Sequence, residues 1–185
     1  ELLPRSKATE HTVSTLFGLY MHYHVAGERA ACRRVADELV DFADRIDDKS
    51  LQSVAATAKG VNFHAEGRFL DAETWLEKAR GTYDPVRDQY QANAYGMDCR
   101  VWSTAQLALV QWGMGRGTRS FALANEAIAW AREIKHVPSL GIALLYISQI
   151  HQMNGDKAAV LRTTGELLEA SKTFGLPAFE GYGAT

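Results

Sequence analysis

The sequence predicts an all-α fold in which helical hairpins stack in register as a right-handed α-solenoid. Three observations predict it. Glycine-led turns recur at Gly27-Glu-Arg, Gly67-Arg-Phe, Gly115-Arg-Gly and Gly155-Asp-Lys, separated by 40, 48 and 40 residues. Apolar residues between the turns repeat at about 100° per residue, the period of a helix. Alternating strand patterns are absent from the chain.

The elements follow in order from these turns. A first helix over 8–25 ends at Gly27, because a chain leaving one helix for the next commonly needs positive φ there. The second, over 28–47, carries Cys32, Val35, Ala36, Leu39, Ala43 and Ile46 on one side. The third, over 50–65, leads into Gly67. The fourth, over 69–82, aligns Phe69, Ala72, Leu76 and Ala79. A fifth helix over 92–113 reaches the turn at Gly115, and a sixth over 118–135 contains Ala127. The seventh and eighth, over 139–153 and 157–174, flank Gly155. The residues after Gly175-Leu-Pro177, with Gly181 and Gly183, read as a ninth helix cut short, in the place of a solenoid's capping helix.

Small residues mark the hairpins. Gly60, Phe63, Gly67, Phe69, Ala72 and Ala79, with Pro85 beyond, stand where the tetratricopeptide repeat places its small and aromatic signature residues, so the second hairpin resembles that repeat most closely. Gly60 and Ala72 would let the two helices approach, and Ala79 would let the next hairpin dock. The third hairpin keeps Ala108 and Ala127, with Ser120 as its middle small residue. The first has Tyr23 and Cys32, and the fourth Ser148 and Val160. The reading is one tetratricopeptide-like domain over 1–185, with repeats at about 8–47, 50–82, 92–135 and 139–174, excised from a larger protein.

Composition restricts the function. The chain has 185 residues, 46% hydrophobic and 23% charged, which is ample for a core. Its net charge of −2, from 20 Lys+Arg and 22 Asp+Glu, carries no nucleic-acid footprint. The longest apolar run, Ile142–Ile147, is far short of the roughly 20 residues of a membrane helix. The opening Glu-Leu-Leu-Pro-Arg-Ser has no secretory pattern. Cys32 and Cys99 form neither a metal spacing nor a disulfide framework, so a reduced, cytoplasmic setting is expected.

Catalytic motifs are missing. No Gly-x-x-x-x-Gly-Lys-Ser/Thr loop, His-Glu-x-x-His pair or Gly-x-Ser-x-Gly elbow occurs. Gly113, Gly115 and Gly117 follow no strand and read as a repeat turn. His22 and His24 lie about 200° apart on a helix and cannot share a metal. Asp37, Asp41, Asp44 and Asp48 fall within about 60° of helix circumference. Their place opposite the Cys32–Leu39–Ile46 face makes them a solvated stripe, with a basic-partner dock or a metal site as alternatives. No catalytic residue, cofactor or metal is assigned.

The turn register places His24, His64, Trp112 and Gln152 at equivalent late positions. Phe17, Met21, Trp102, Leu109 and Gln149 fall in other slots of the first helix of each hairpin. In tetratricopeptide arrays those helices line a concave groove, so these residues form an apolar, weakly polar cleft for a helix or an extended peptide. Packing between hairpins, or against a neighbouring domain, is the competing reading. The ring of lysines that captures C-terminal carboxylates is absent.

Tyr83-Asp-Pro85, Tyr95-Gly-Met-Asp98-Cys-Arg-Val101 and Trp112-Gly-Met-Gly115, with Ala127 and Ala131, resemble the C-terminal helical region of large bacterial signalling proteins. Those join a class III adenylate/guanylate cyclase, a protein kinase or a DNA-binding domain to a predicted ATPase and a tetratricopeptide-like tail. The resemblance covers about residues 15–175. Cys99 stands where the pattern has proline, and Gly113 and Gly117 are additional. It implies a non-catalytic regulatory scaffold whose partner is a protein, a peptide or another domain of its parent, with homodimerisation an added expectation. Two alternatives stand beside it: the partner- or inducer-sensing part of an ATPase-containing transcriptional regulator, and an all-helical enzyme using the aspartate stripe. Asp98 reads either as a helix cap or as a signal-sensing contact.

Overall fold

The structure, a computed structural model, describes residues 7–175, with side chains from residue 12 onward. Among these residues there are nine helices and no strand. The segment after Gly175, where the sequence places a further helix, lies outside the described residues. The chain divides between Tyr90 and Gln91 into two compact units.

The first unit contains α1 (Lys7–Ala26), α2 (Arg29–Arg45), α3 (Lys49–Ala65) and α4 (Phe69–Thr82). Each packs against the next in sequence. Ala31, Cys32, Val35, Ala36, Leu39 and Ala43 are the buried residues of α2, matching the predicted apolar side; Ile46 falls just past the helix and is exposed. In α3 every residue from Ser53 to Ala58 is buried. Its hydroxyls turn back on the helix, Ser53 Oγ donating to Ser50 O and Thr57 Oγ1 to Ser53 O at 2.8 Å each. Gly60 is obligatory for the α3–α4 approach, since a β-carbon there would lie 2.6 Å from Leu76 Cγ.

The second unit contains α5 (Gln91–Tyr95), α6 (Cys99–Gly113), α7 (Gly117–Glu133), α8 (Val137–Met153) and α9 (Lys157–Phe174). α6 packs on α7 and α8, and α8 also packs on α7 and α9. Residues Val101 to Gln111 are buried without interruption, as befits a helix enclosed on all sides. Ser120 stands where the second hairpin has Ala72. Its hydroxyl is buried and donates to Ala108 O at 2.7 Å, so the polar substitution is satisfied across α6 and α7.

The fifth helix expected over 92–113 is in fact two. Gly96 has φ +72°, which breaks the helix after Tyr95. Asp98 then opens α6 by accepting the Val101 N–H at 2.9 Å. The cap reading of Asp98 is therefore the one realised.

All four turn glycines have the same left-handed backbone, with φ between +74° and +75°. Each turn also closes with the same pair of bonds. Gly27, Gly67, Gly115 and Gly155 donate to the carbonyls of His24, His64, Trp112 and Gln152. The next residues, Glu28, Arg68, Arg116 and Asp156, donate to Tyr23, Phe63, Gln111 and His151. His24, His64, Trp112 and Gln152 are the residues that the register aligned from sequence.

Candidate functional site

The predicted groove residues fall into two groups, one in each unit. In the first, Phe17 is buried to 3% exposure and presents no surface for docking. It stacks on Tyr20, whose hydroxyl donates to Ala58 O at 2.9 Å and ties α1 to α3. Met21, His24 and His64 are half-buried. His24 lies nearly parallel to Tyr20 at 5.9 Å, and His64 rests against Phe69 at 5.8 Å. Burial favours the neutral form of both rings and lowers their pKa, and Arg29 adds to the effect at His24.

In the second unit Trp102 is buried, donating from Nε1 to Tyr146 Oη at 3.1 Å, and Leu109, further along α6, is buried too. Trp112 and Gln149 are half-buried and Gln152 is exposed. Trp112 meets Phe121 edge-on at 5.9 Å, and Phe121 meets His151 at 5.3 Å. This half-buried triad joins the end of α6, the start of α7 and the end of α8.

Sequence reasoning missed Phe121, Tyr146 and His151. Tyr146 had a readable signal, lying three residues before Gln149 and so on the same side of α8. Phe121 had none in the register of first helices, because it belongs to the second helix of its hairpin.

α8 contains no Asp, Glu, Lys or Arg, and His151 is its one basic side chain. Ile142, Leu145, Tyr146 and Gln149 are half-buried along it. The half-buried side chains of α8 are apolar or uncharged apart from His151, with the tyrosine hydroxyl, the glutamine amide and the imidazole as hydrogen-bonding groups.

The aspartate stripe lies on solvent. Asp41 and Asp44 are exposed, Asp37 pairs with Lys59, and Asp48 belongs to the start of α3, where it caps Leu51 N–H at 3.1 Å. Among the described residues no group of three or more His, Cys, Asp or Glu is placed to hold a metal ion. None of the described helices is long and apolar enough to cross a membrane.

No protein-family model matches the chain, and no curated protein or solved structure is similar enough to count as a match.

Proposed function

We propose that this chain is a non-catalytic interaction scaffold, built of tetratricopeptide-like hairpins arranged as a solenoid, that docks a partner segment on α8 and its neighbours. The observation that carries the reading is the neutrality of α8: seventeen residues without an acidic or basic side chain other than His151, with Ile142, Leu145, Tyr146 and Gln149 half-buried. A charged partner would lose hydration there and gain no ion pair, whereas an apolar helix or strand would release water from both surfaces. Gln149 and Gln152 supply amides that fix its register. The four identical glycine turns support the repeat reading, since equal turns present their helices in equal fashion. In this reading the parent is a bacterial signalling protein with cyclase and ATPase domains, and the scaffold turns docking into a changed domain arrangement.

Panning a displayed random peptide library against the purified chain tests the docking. Enriched peptides should be apolar and uncharged, and Gln149→Glu should weaken them by about tenfold or more. No enrichment, or peptides indifferent to that change, overturns the reading. The coding sequence upstream of Glu1 tests the parentage: a phosphate loop within the preceding few hundred codons is expected.

A further inference from the structure

Among the described residues four helices begin on a side-chain cap: Asp48 for α3, Asp98 for α6, His136 for α8 and Asp156 for α9. A carboxylate accepts hydrogen bonds throughout the neutral range. An imidazole accepts at Nδ1 only while that nitrogen carries no hydrogen. Asp48 and His136 also occupy equivalent turns. Each follows a non-glycine residue with left-handed backbone, Asp47 at φ 49° and Lys135 at φ 53°, and donates its own N–H five residues back, to Ala43 O and Ala131 O. One hairpin thus places an imidazole where another places a carboxylate.

The bonds around that imidazole form a chain. His136 Nδ1 accepts the Ser139 N–H at 3.3 Å and lies 2.8 Å from Ser139 Oγ. Ser139 Oγ accepts the Asp98 N–H at 2.8 Å, so its own hydrogen is free to point at Nδ1. Asp98 Oδ1 accepts both Val101 N–H and, at 3.2 Å, Trp130 Nε1–H. Ser139 and Asp98 are both buried. The protonation of one half-buried ring is therefore linked to the starts of α6 and α8 and to the indole of α7.

We propose that His136 is a proton-operated latch joining the starts of α6 and α8. With Nδ1 bare, the ring closes the α8 cap and holds the Ser139 hydroxyl on Asp98. When the ring takes a proton from solvent, Nδ1 carries a hydrogen, loses the Ser139 N–H and can only donate to Ser139 Oγ, which still accepts from Asp98. With its cap amide released the first turn of α8 frays, and the Asp98 end loosens because Ser139 sits in that turn.

The charges on the surrounding elements are few. Asp98, at the start of α6, favours the charged ring, while burial opposes it more strongly and lowers its pKa. Arg100 is drawn over the Trp130 ring at 4.2 Å and toward Glu126. Arg132 of α7 pairs with Glu166 of α9. Glu133, Lys135, Glu169 and Lys172 are exposed.

Amide hydrogen exchange of the whole chain tests the latch. Protection of the peptides covering 137–142 and 97–102 should fall about fivefold between about pH 7.5 and pH 5.5, the factor that one lost cap implies. In His136→Asn, whose amide oxygen accepts at both pH values, protection should stay constant. An equal fall in both proteins, or none in the wild type, overturns the proposal. Should the variant fail to fold, nitrogen chemical shifts of the wild-type ring decide. Nδ1 should be unprotonated near neutrality, and its titration should share a midpoint with the Ser139 amide. An Nδ1–H tautomer or separate midpoints would overturn the proposal equally.

Discussion

Leu76 Cγ occupies the space that a side chain on Gly60 would need, 2.6 Å from the position of its β-carbon, with Leu76 Cδ2 at 2.8 Å and the Leu76 backbone nitrogen at 3.1 Å. The leucine is fully buried, so it has little room to yield. At the equivalent places, 40 residues before and 48 after, Tyr20 is matched with Ala36 and Ala108 with Ala124. Large and small residues exchange sides of the register between the first and second hairpins, while the third has a small residue on both sides.

Gly60→Ala should therefore destabilise the first unit by about 1–3 kcal/mol, overpacking outweighing the gain in helix propensity. Gly165→Ala, in α9 with nothing within 4 Å of the added carbon, should instead stabilise by about 0.5–1 kcal/mol. Urea unfolding of both variants measures the contrast. Equal signs would mean that the α3–α4 contact is looser than it stands here.

At Asp98, replacement by Asn keeps an oxygen for Val101 N–H and Trp130 Nε1–H, and the loss should be under about 1 kcal/mol. Asp98→Leu removes the cap and strands the indole, costing about 2–3 kcal/mol. Thermal melts that coincide for wild type and Asp98→Leu would dispose of the cap.

The loop after α4 holds a buried charge pair with unequal members. Asp88 is fully buried, and Arg87, a quarter exposed, reaches it at 2.7 Å while also donating to Thr82 O. Arg87→Met leaves a carboxylate without its ion partner in the interior and should cost about 3 kcal/mol. Asp88→Asn leaves a guanidinium that can turn to water, and should cost less. The order of the two urea midpoints is the readout, and the reverse order would refute the assignment.

Mild acid should weaken the fold. Burial lowers the pKa of His24, His64 and His136 below the ordinary 6.5. The unfolded chain then binds more protons than the folded one as pH drops below that value. Stability should be full above about pH 7 and decline as pH falls through the ordinary histidine range toward the folded values. Urea midpoints from pH 8 to pH 5 check the slope, and a flat profile would contradict the burial of these rings.

Helices and turns were legible because they are local. A glycine that must take positive φ, or an apolar residue every third or fourth position, leaves its mark within one hairpin, and the four turns share their bonds as the register of Gly27, Gly67, Gly115 and Gly155 requires. The break at Gly96 was less visible, since 92–113 keeps an apolar period through it; positive φ at Gly96 and the carboxylate of Asp98 outweigh that pattern. Exposure was legible least. Phe17 and Trp102 share a slot type with Met21 and Gln149, yet they are buried, because which side of a first helix stays open depends on neighbours remote in sequence. His136 gave no signal as a cap, standing in a place more often filled by Ser, Thr, Asp or Asn.

The four tryptophans are divided unevenly at Tyr90: Trp75 lies in the first unit, and Trp102, Trp112 and Trp130 in the second. Trp75 sits under two ammonium groups, Lys59 at 5.0 Å and Lys78 at 4.7 Å, whereas Trp130 faces a guanidinium and a carboxylate. Each half of the chain consequently carries its own intrinsic fluorophore in a distinct electric field. Emission from a Trp75→Phe protein reports the second half alone, and the difference spectrum reports the first, so the order in which the halves come apart can be recorded without attaching any dye.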